Sequence, residues 1–123
     1  MTHVRHGFLS LALLVPLCAC QFHARSPEHY REDTRKVLET RTPEIQACYA
    51  EALDVNPLAA GRVAVRMVVS AKTGVITTAR VLPESTAPVP VADCVRLALY
   101  GLTLEPPDAQ EGDATFVWTF ARR

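Results

Sequence analysis

The stretch CYAEALDVNPLAAGRVAVRMVVSAKTGVITTARVLPESTAPVPVADC, Cys48 to Cys94, decides how this chain folds. It reads as a helix end, a strand, a turn, a second strand and a second helix, with one cysteine on each helix. Val63, Val65, Met67 and Val69 alternate with Arg62, Ala64, Arg66 and Val68. That period of two gives a strand one face for a core. Ala71-Lys72-Thr73-Gly74 is a turn with a glycine available for positive φ. Val75–Leu82 is β-rich and returns as the second arm of a hairpin. Its inward face is either Val75, Thr77, Ala79 and Val81 or Ile76, Thr78, Arg80 and Leu82; the first set is preferred because it leaves Arg80 in water.

Outward from the hairpin, both flanks are helical. Ile45, Cys48, Tyr49, Ala52 and Leu53 follow the i, i+3, i+4, i+7, i+8 spacing of one helix face. Thr42-Pro43-Glu44 opens that helix, and Asn56-Pro57 ends it, since the residue before a proline disfavours helical geometry. Pro90 opens the other, where Val91, Cys94, Val95, Ala98 and Leu99 repeat the stripe until Gly101. An earlier helix starts at Ser26-Pro27-Glu28, with a thin apolar stripe of Tyr30, Thr34, Val37 and Leu38 among many charges. It is either separate from the next helix or the first limb of one bent element. Ala114–Phe120 closes the chain as a strand with Phe116, Trp118 and Phe120 on one face. The order helix, helix, strand, strand, helix, strand predicts an α+β two-layer sandwich, helices packed on a three-stranded antiparallel sheet.

The 123 residues leave room for one small domain and a targeting segment. Thirteen basic and thirteen acidic residues cancel, so nothing points to nucleic acid as a partner. At the N-terminus, Arg5 precedes the apolar run Phe8–Leu17 and the small residues that follow, the pattern of a secretory signal too short to span a bilayer. Leu17-Cys18-Ala19-Cys20 looks like a bacterial lipobox. That resemblance implies cleavage before Cys20 and acylation of its amine and thiol. An ordinary signal peptide cut near Ala19 or Ala24 is the alternative; the lipobox is preferred because it gives Cys20 a use. Residues 1–19 are then a signal peptide, 20–29 the lipidated cysteine and tether, and 30–123 the domain. By resemblance to lipoprotein sorting, Gln21 points to the outer membrane, on its periplasmic face.

Cleavage removes Cys18 and lipid occupies Cys20, so Cys48 and Cys94 remain as an even pair in an oxidising compartment. A disulfide between them is expected; two free thiols acting as small core residues are the alternative. His3 and His6 leave with the signal, and His23 and His29 lie in the tether. The domain core therefore lacks the histidine that the usual base and nucleophile pairings require. Glu51, Asp54, Glu84 and Asp93 fall on expected exposed faces. No catalytic residue, metal site or cofactor is predicted.

The run Ile45-Gln46-Ala47-Cys48-Tyr49, then Leu53, Asn56-Pro57, Gly61-Arg62-Val63, Gly74-Val75, Val81, Ser85-Thr86, Val91, Cys94-Val95 and Pro107 resembles the AgmX/PglI-type C-terminal domain, a relative of the TonB C-terminal domain. The likeness covers about residues 30–121. It implies a TonB-like α/β fold, a Cys48–Cys94 disulfide, no catalysis, and partner binding by addition of a strand to a sheet edge. TonB itself has a cytoplasmic-membrane anchor and a long spacer; this chain has a short tether, so energy transduction is not carried over. The last strand is expected beside the first, leaving Val75–Leu82 and Ala114–Phe120 as edges. Thr115, Val117 and Thr119 are the candidate partner-binding positions. The expected partners are a membrane, through lipid on Cys20, and an envelope protein. A structural role in a gliding or secretion assembly, or as a homodimer, is the second reading.

Metabolic labelling with palmitate is expected to tag the protein, and Cys20→Ser to remove the tag. Labelling that survives the substitution would eliminate the lipoprotein reading.

Overall fold

Ile45 and Cys48 of one helix, Val91 and Val95 of another, and the row Val63, Val65, Met67 and Val69 of a strand meet in a single apolar layer. The computed structural model describes residues 24–122. The expected signal peptide, the lipidation site Cys20 and the sorting residue Gln21 lie outside the described residues.

The elements run α1 (Pro27–Glu39), α2 (Thr42–Val55), β1 (Gly61–Val69), β2 (Ile76–Val81), α3 (Val89–Ala98) and β3 (Gly112–Phe120). The fold is α+β, with three helices on a three-stranded antiparallel sheet of order β2-β1-β3. The Ser26 hydroxyl caps α1 by accepting from the His29 amide at 3.3 Å. Thr34 and Leu38 are buried from its thin stripe, with Tyr30 and Val37 half-buried against the core. A break at Thr40-Arg41 separates α1 from α2, which resolves the choice between two helices and one bent one. Helix α2 runs to Val55 and stops at extended Asn56, before Pro57.

Strand β1 carries Val63, Val65, Met67 and Val69 inward as its alternation requires. The turn after it closes through a hydrogen bond from the Gly74 amide to the Ser70 carbonyl at 2.8 Å, with Gly74 at φ 70°. A side chain at Gly74 would also collide with the Leu104 carbonyl, so the turn needs glycine for space as well as for torsion. Strand β2 corrects the expected alternation. Val68 pairs with Thr78 but Val69 pairs with Ile76, leaving Thr77 as an unpaired extra residue. This bulge resets the side-chain phase. Ile76 and Ala79 are buried and Val81 half-buried, whereas Thr77, expected inward, is exposed. Neither uniform set is therefore realised, although Arg80 does stay in water. Strand β3 is two residues longer than expected at its start, because Gly112 and Asp113 pair with Val69 and Val68. Gly112 lies against Tyr30, whose ring and hydroxyl occupy the space a Cβ would need.

Cys48 and Cys94 are joined in a disulfide, Cα atoms 5.7 Å apart, that staples α2 to α3. Away from the staple, the segment 20–29 read as tether meets the fold at Arg25. That side chain is 2% exposed and donates to Asp33 Oδ2 at 2.8 Å and to the Pro106 carbonyl at 2.8 Å. Its amide donates to Asp108 Oδ2 at 2.8 Å. Burial works against the charge on Asp108. The amides of Gln110 and Arg25, with the Arg25 guanidinium, outweigh that and hold its carboxyl below the ordinary range.

The bridge closes a loop of 46 positions, for which chain entropy alone gives roughly 4 kcal/mol. Cys48→Ser is therefore expected to lower the urea-unfolding free energy by about 2–4 kcal/mol. Cys48→Ser/Cys94→Ser should lower it no further, since each variant loses the same bond. A double variant markedly less stable than the single would show that the thiols contribute through packing instead.

Candidate interaction surface

Which backbone groups of the sheet are free follows from a few hydrogen bonds on β1. The Ala64 carbonyl accepts from the Leu82 amide at 2.8 Å, and the Arg62 carbonyl accepts from Thr86 and Ala87 at 2.8 and 3.0 Å. The Arg62 and Ala64 amides donate to the side chains of Thr86 and Ser85 at 2.9 and 3.0 Å. Arg62 and Ala64 thus point their backbone toward the β2 side. Alternation in an antiparallel ladder then turns Val63, Val65 and Met67 toward β3, where they oppose Trp118, Phe116 and Ala114. It follows that the backbone N–H and C=O of Thr115, Val117 and Thr119 point away from the sheet. These are the three positions the sequence singled out. No backbone hydrogen bond joins them to any other described residue.

The opposite edge is less open. At the start of β2, the Ile76 amide donates to the Leu102 carbonyl at 2.9 Å and the Leu104 amide to the Gly74 carbonyl at 2.7 Å. Farther along, the Tyr100 hydroxyl reaches the Ala79 carbonyl at 3.4 Å. Beyond β2, the segment 82–87 continues along β1 through the bonds already described. Gly61 permits this approach: a Cβ there would lie 2.6 Å from the Ala87 nitrogen. The more open edge of the sheet is β3.

Side chains on the two faces of β3 differ in kind. Phe116, Trp118 and Phe120 face the helices and are half-buried, while Thr115, Val117 and Thr119 face outward, with Val117 56% exposed. A groove of about 750 Å³ runs between α2 and the C-terminal half of β3, lined by Ile45, Tyr49, Leu53, Trp118 and Phe120 among others. Tyr49 shapes its floor. Its ring lies 5.0 Å from that of Phe120, and its hydroxyl donates to the Ala59 carbonyl at 2.6 Å. The outer face carries exposed Arg62, Arg66 and Arg80. Arg66 pairs with Asp113 across the β1–β3 ladder, and this hydrogen bond holds the Asp113 carboxyl below its ordinary range. Arg62 and Arg80 have no acidic partner among the described residues.

A smaller hollow of about 290 Å³ opens beside the disulfide, between Ala52, Val55, Pro90 and Val91. Unlike the groove, it includes no residue of β3. Among the described residues, no group of three or more His, Cys, Asp and Glu is placed to hold a metal ion, and no helix is long and apolar enough to cross a membrane. The groove was missed by sequence reasoning. The alternate spacing of Phe116, Trp118 and Phe120 points to packing against the helices, and their half-burial shows that this packing leaves part of each ring uncovered. The alternation could locate that face, but nothing in it gives the offset between α2 and β3 that opens the groove. No family model matches the chain, and comparison with curated proteins and with solved structures yields no match either.

Amide exchange gives a direct check on the backbone phase. The amides of Thr115, Val117 and Thr119 should exchange rapidly, and those of Phe116 and Trp118 slowly. Equal protection of both sets would mean that the edge is already covered.

Proposed function

We propose that this domain is a lipid-anchored interaction module of the bacterial envelope, related to AgmX/PglI-type and TonB C-terminal domains, that captures an extended segment of an envelope protein as a fourth strand along β3. The observation that carries the reading is the row of unpaired backbone groups at Thr115, Val117 and Thr119, flanked by an apolar groove. In strand addition, main-chain hydrogen bonds supply affinity and alternate side-chain pockets supply selectivity. A lipid on Cys20 would hold the domain on the periplasmic face of the outer membrane, close to such partners. The exposure of Glu51, Asp54, Glu84 and Asp93 suits a module that performs no catalysis.

The same edge supports a second reading. Two copies can pair β3 with β3 across a two-fold axis, and the protein would then be a structural subunit of a gliding or secretion assembly. Proline at Val117 tests whether that edge is used at all, and the identity of the occupant separates the readings. The Val117 N–H points outward, so the substitution blocks an incoming strand without removing a ladder bond. Recovery of one substoichiometric partner from detergent-solubilised envelopes, lost with Val117→Pro, is the expected result. A dimer by analytical ultracentrifugation that is lost with Val117→Pro, with no other protein recovered, would favour the second reading. A fixed-stoichiometry complex that ignores Val117→Pro would overturn strand addition.

A further inference from the structure

A strand added along β3 places its side chains alternately on two very different surfaces. On the helix side they meet the groove, where Tyr49, Leu53, Trp118 and Phe120 offer apolar area with room for a bulky side chain. The outer side presents first the short side chains of Thr115 and Thr119, then the arginines of β1. Arg62 stands directly across from Thr119, and Arg66 across from Thr115. An added strand lies about 10 Å from β1, twice the inter-strand spacing. A long arginine and a glutamate can close that gap by meeting above a threonine.

The charges on this outer face are unbalanced. Arg66 and Arg80 are cross-strand partners, an arrangement of like charges that destabilises a sheet. Asp113 is the one carboxylate on these strands that neutralises any of them, through Arg66. At the far end of the groove, Arg122 adds a further cation at its rim.

From this we infer that the captured segment is amphipathic along its length, with a bulky apolar residue entering the groove beside Trp118 and Phe120, and an acidic residue at the alternate position facing Arg62, which unlike Arg66 has no carboxylate beside it. The inference rests on the strand-addition reading and adds the chemistry of the partner to it. Burial of the apolar residue supplies affinity, while the arginines select against basic segments and speed encounter with acidic ones.

The full-length protein purified from membranes in detergent can test this with synthetic peptides, since its one tryptophan, Trp118, lies in the groove and reports occupancy by fluorescence. A seven-residue peptide alternating glutamate with phenylalanine and valine should bind about tenfold more tightly than its lysine counterpart at low salt, with the difference shrinking at high salt. Arg62→Glu should reverse the preference, and replacing the phenylalanines by serine should abolish the fluorescence response. Val117→Pro should eliminate binding of either peptide, with Thr115→Pro as the second edge variant and circular dichroism confirming that each is folded. Equal binding of the acidic and basic peptides, still lost in the proline variants, would overturn the charge selection and leave strand addition standing. Binding that survives both proline variants would overturn strand addition itself. Failure of the acidic peptide to bind at millimolar concentration would overturn the inference. So would an Arg62-dependent attachment to phosphatidylglycerol vesicles without peptide selectivity, which would assign the arginines to a lipid surface.

Discussion

The covalent link between α2 and α3 is the constraint on which the helical layer depends. Each helix contributes a narrow stripe, and neither could bury that stripe without the other and the sheet beneath. A domain of this size gains little net stability from its core, because conformational entropy opposes most of what burial contributes. Removing loop entropy from the unfolded chain matters more in that setting than it would in a larger protein. The bond also fixes the position of α2, whose Ile45, Tyr49 and Leu53 form one wall of the groove beside β3. The covalent staple and the shape of the candidate binding surface are thus parts of one arrangement.

Much of this was legible in the chain because the informative residues obey simple periods. The stripe from Val91 to Leu99 and the alternation from Val63 to Val69 place their residues in or against the core. So do Ile45, Cys48 and Ala52 of the stripe on α2, whereas its Tyr49 and Leu53 line the groove. The same logic, with β1 central, led to Thr115, Val117 and Thr119. Departures arise where a residue's role depends on something distant in sequence. The bulge at Thr77 shifts the phase of β2, and alternation alone carries no mark of a residue that drops out of register. Its signal is at most the ambiguity of a strand with apolar residues on both faces.

Long-range polar contacts were the least visible. Arg25 and Asp108 are 83 positions apart, one in a segment that reads as tether and the other in the acidic, proline-containing loop before β3. Their mutual burial is a product of tertiary packing, since each supplies what the other needs to leave water. Gly112 is comparable. Nothing around it demands glycine locally, and the reason is the ring of Tyr30 arriving from the opposite end of the domain.

The stretch from Ser85 to Ala87 has an effect on how these molecules can associate. By occupying the polar groups of Arg62 and Ala64, it seals one flank of β1, while Leu102 to Leu104 shields the start of β2. That leaves β3 as the long open flank, while at β2 the outward amides of Ala79 and Val81 form a shorter one. A protein with two open flanks can pass strands head to tail into a growing fibre, whereas a single open flank is saturated by its first occupant. Crowding such domains together therefore favours closed pairs over polymers.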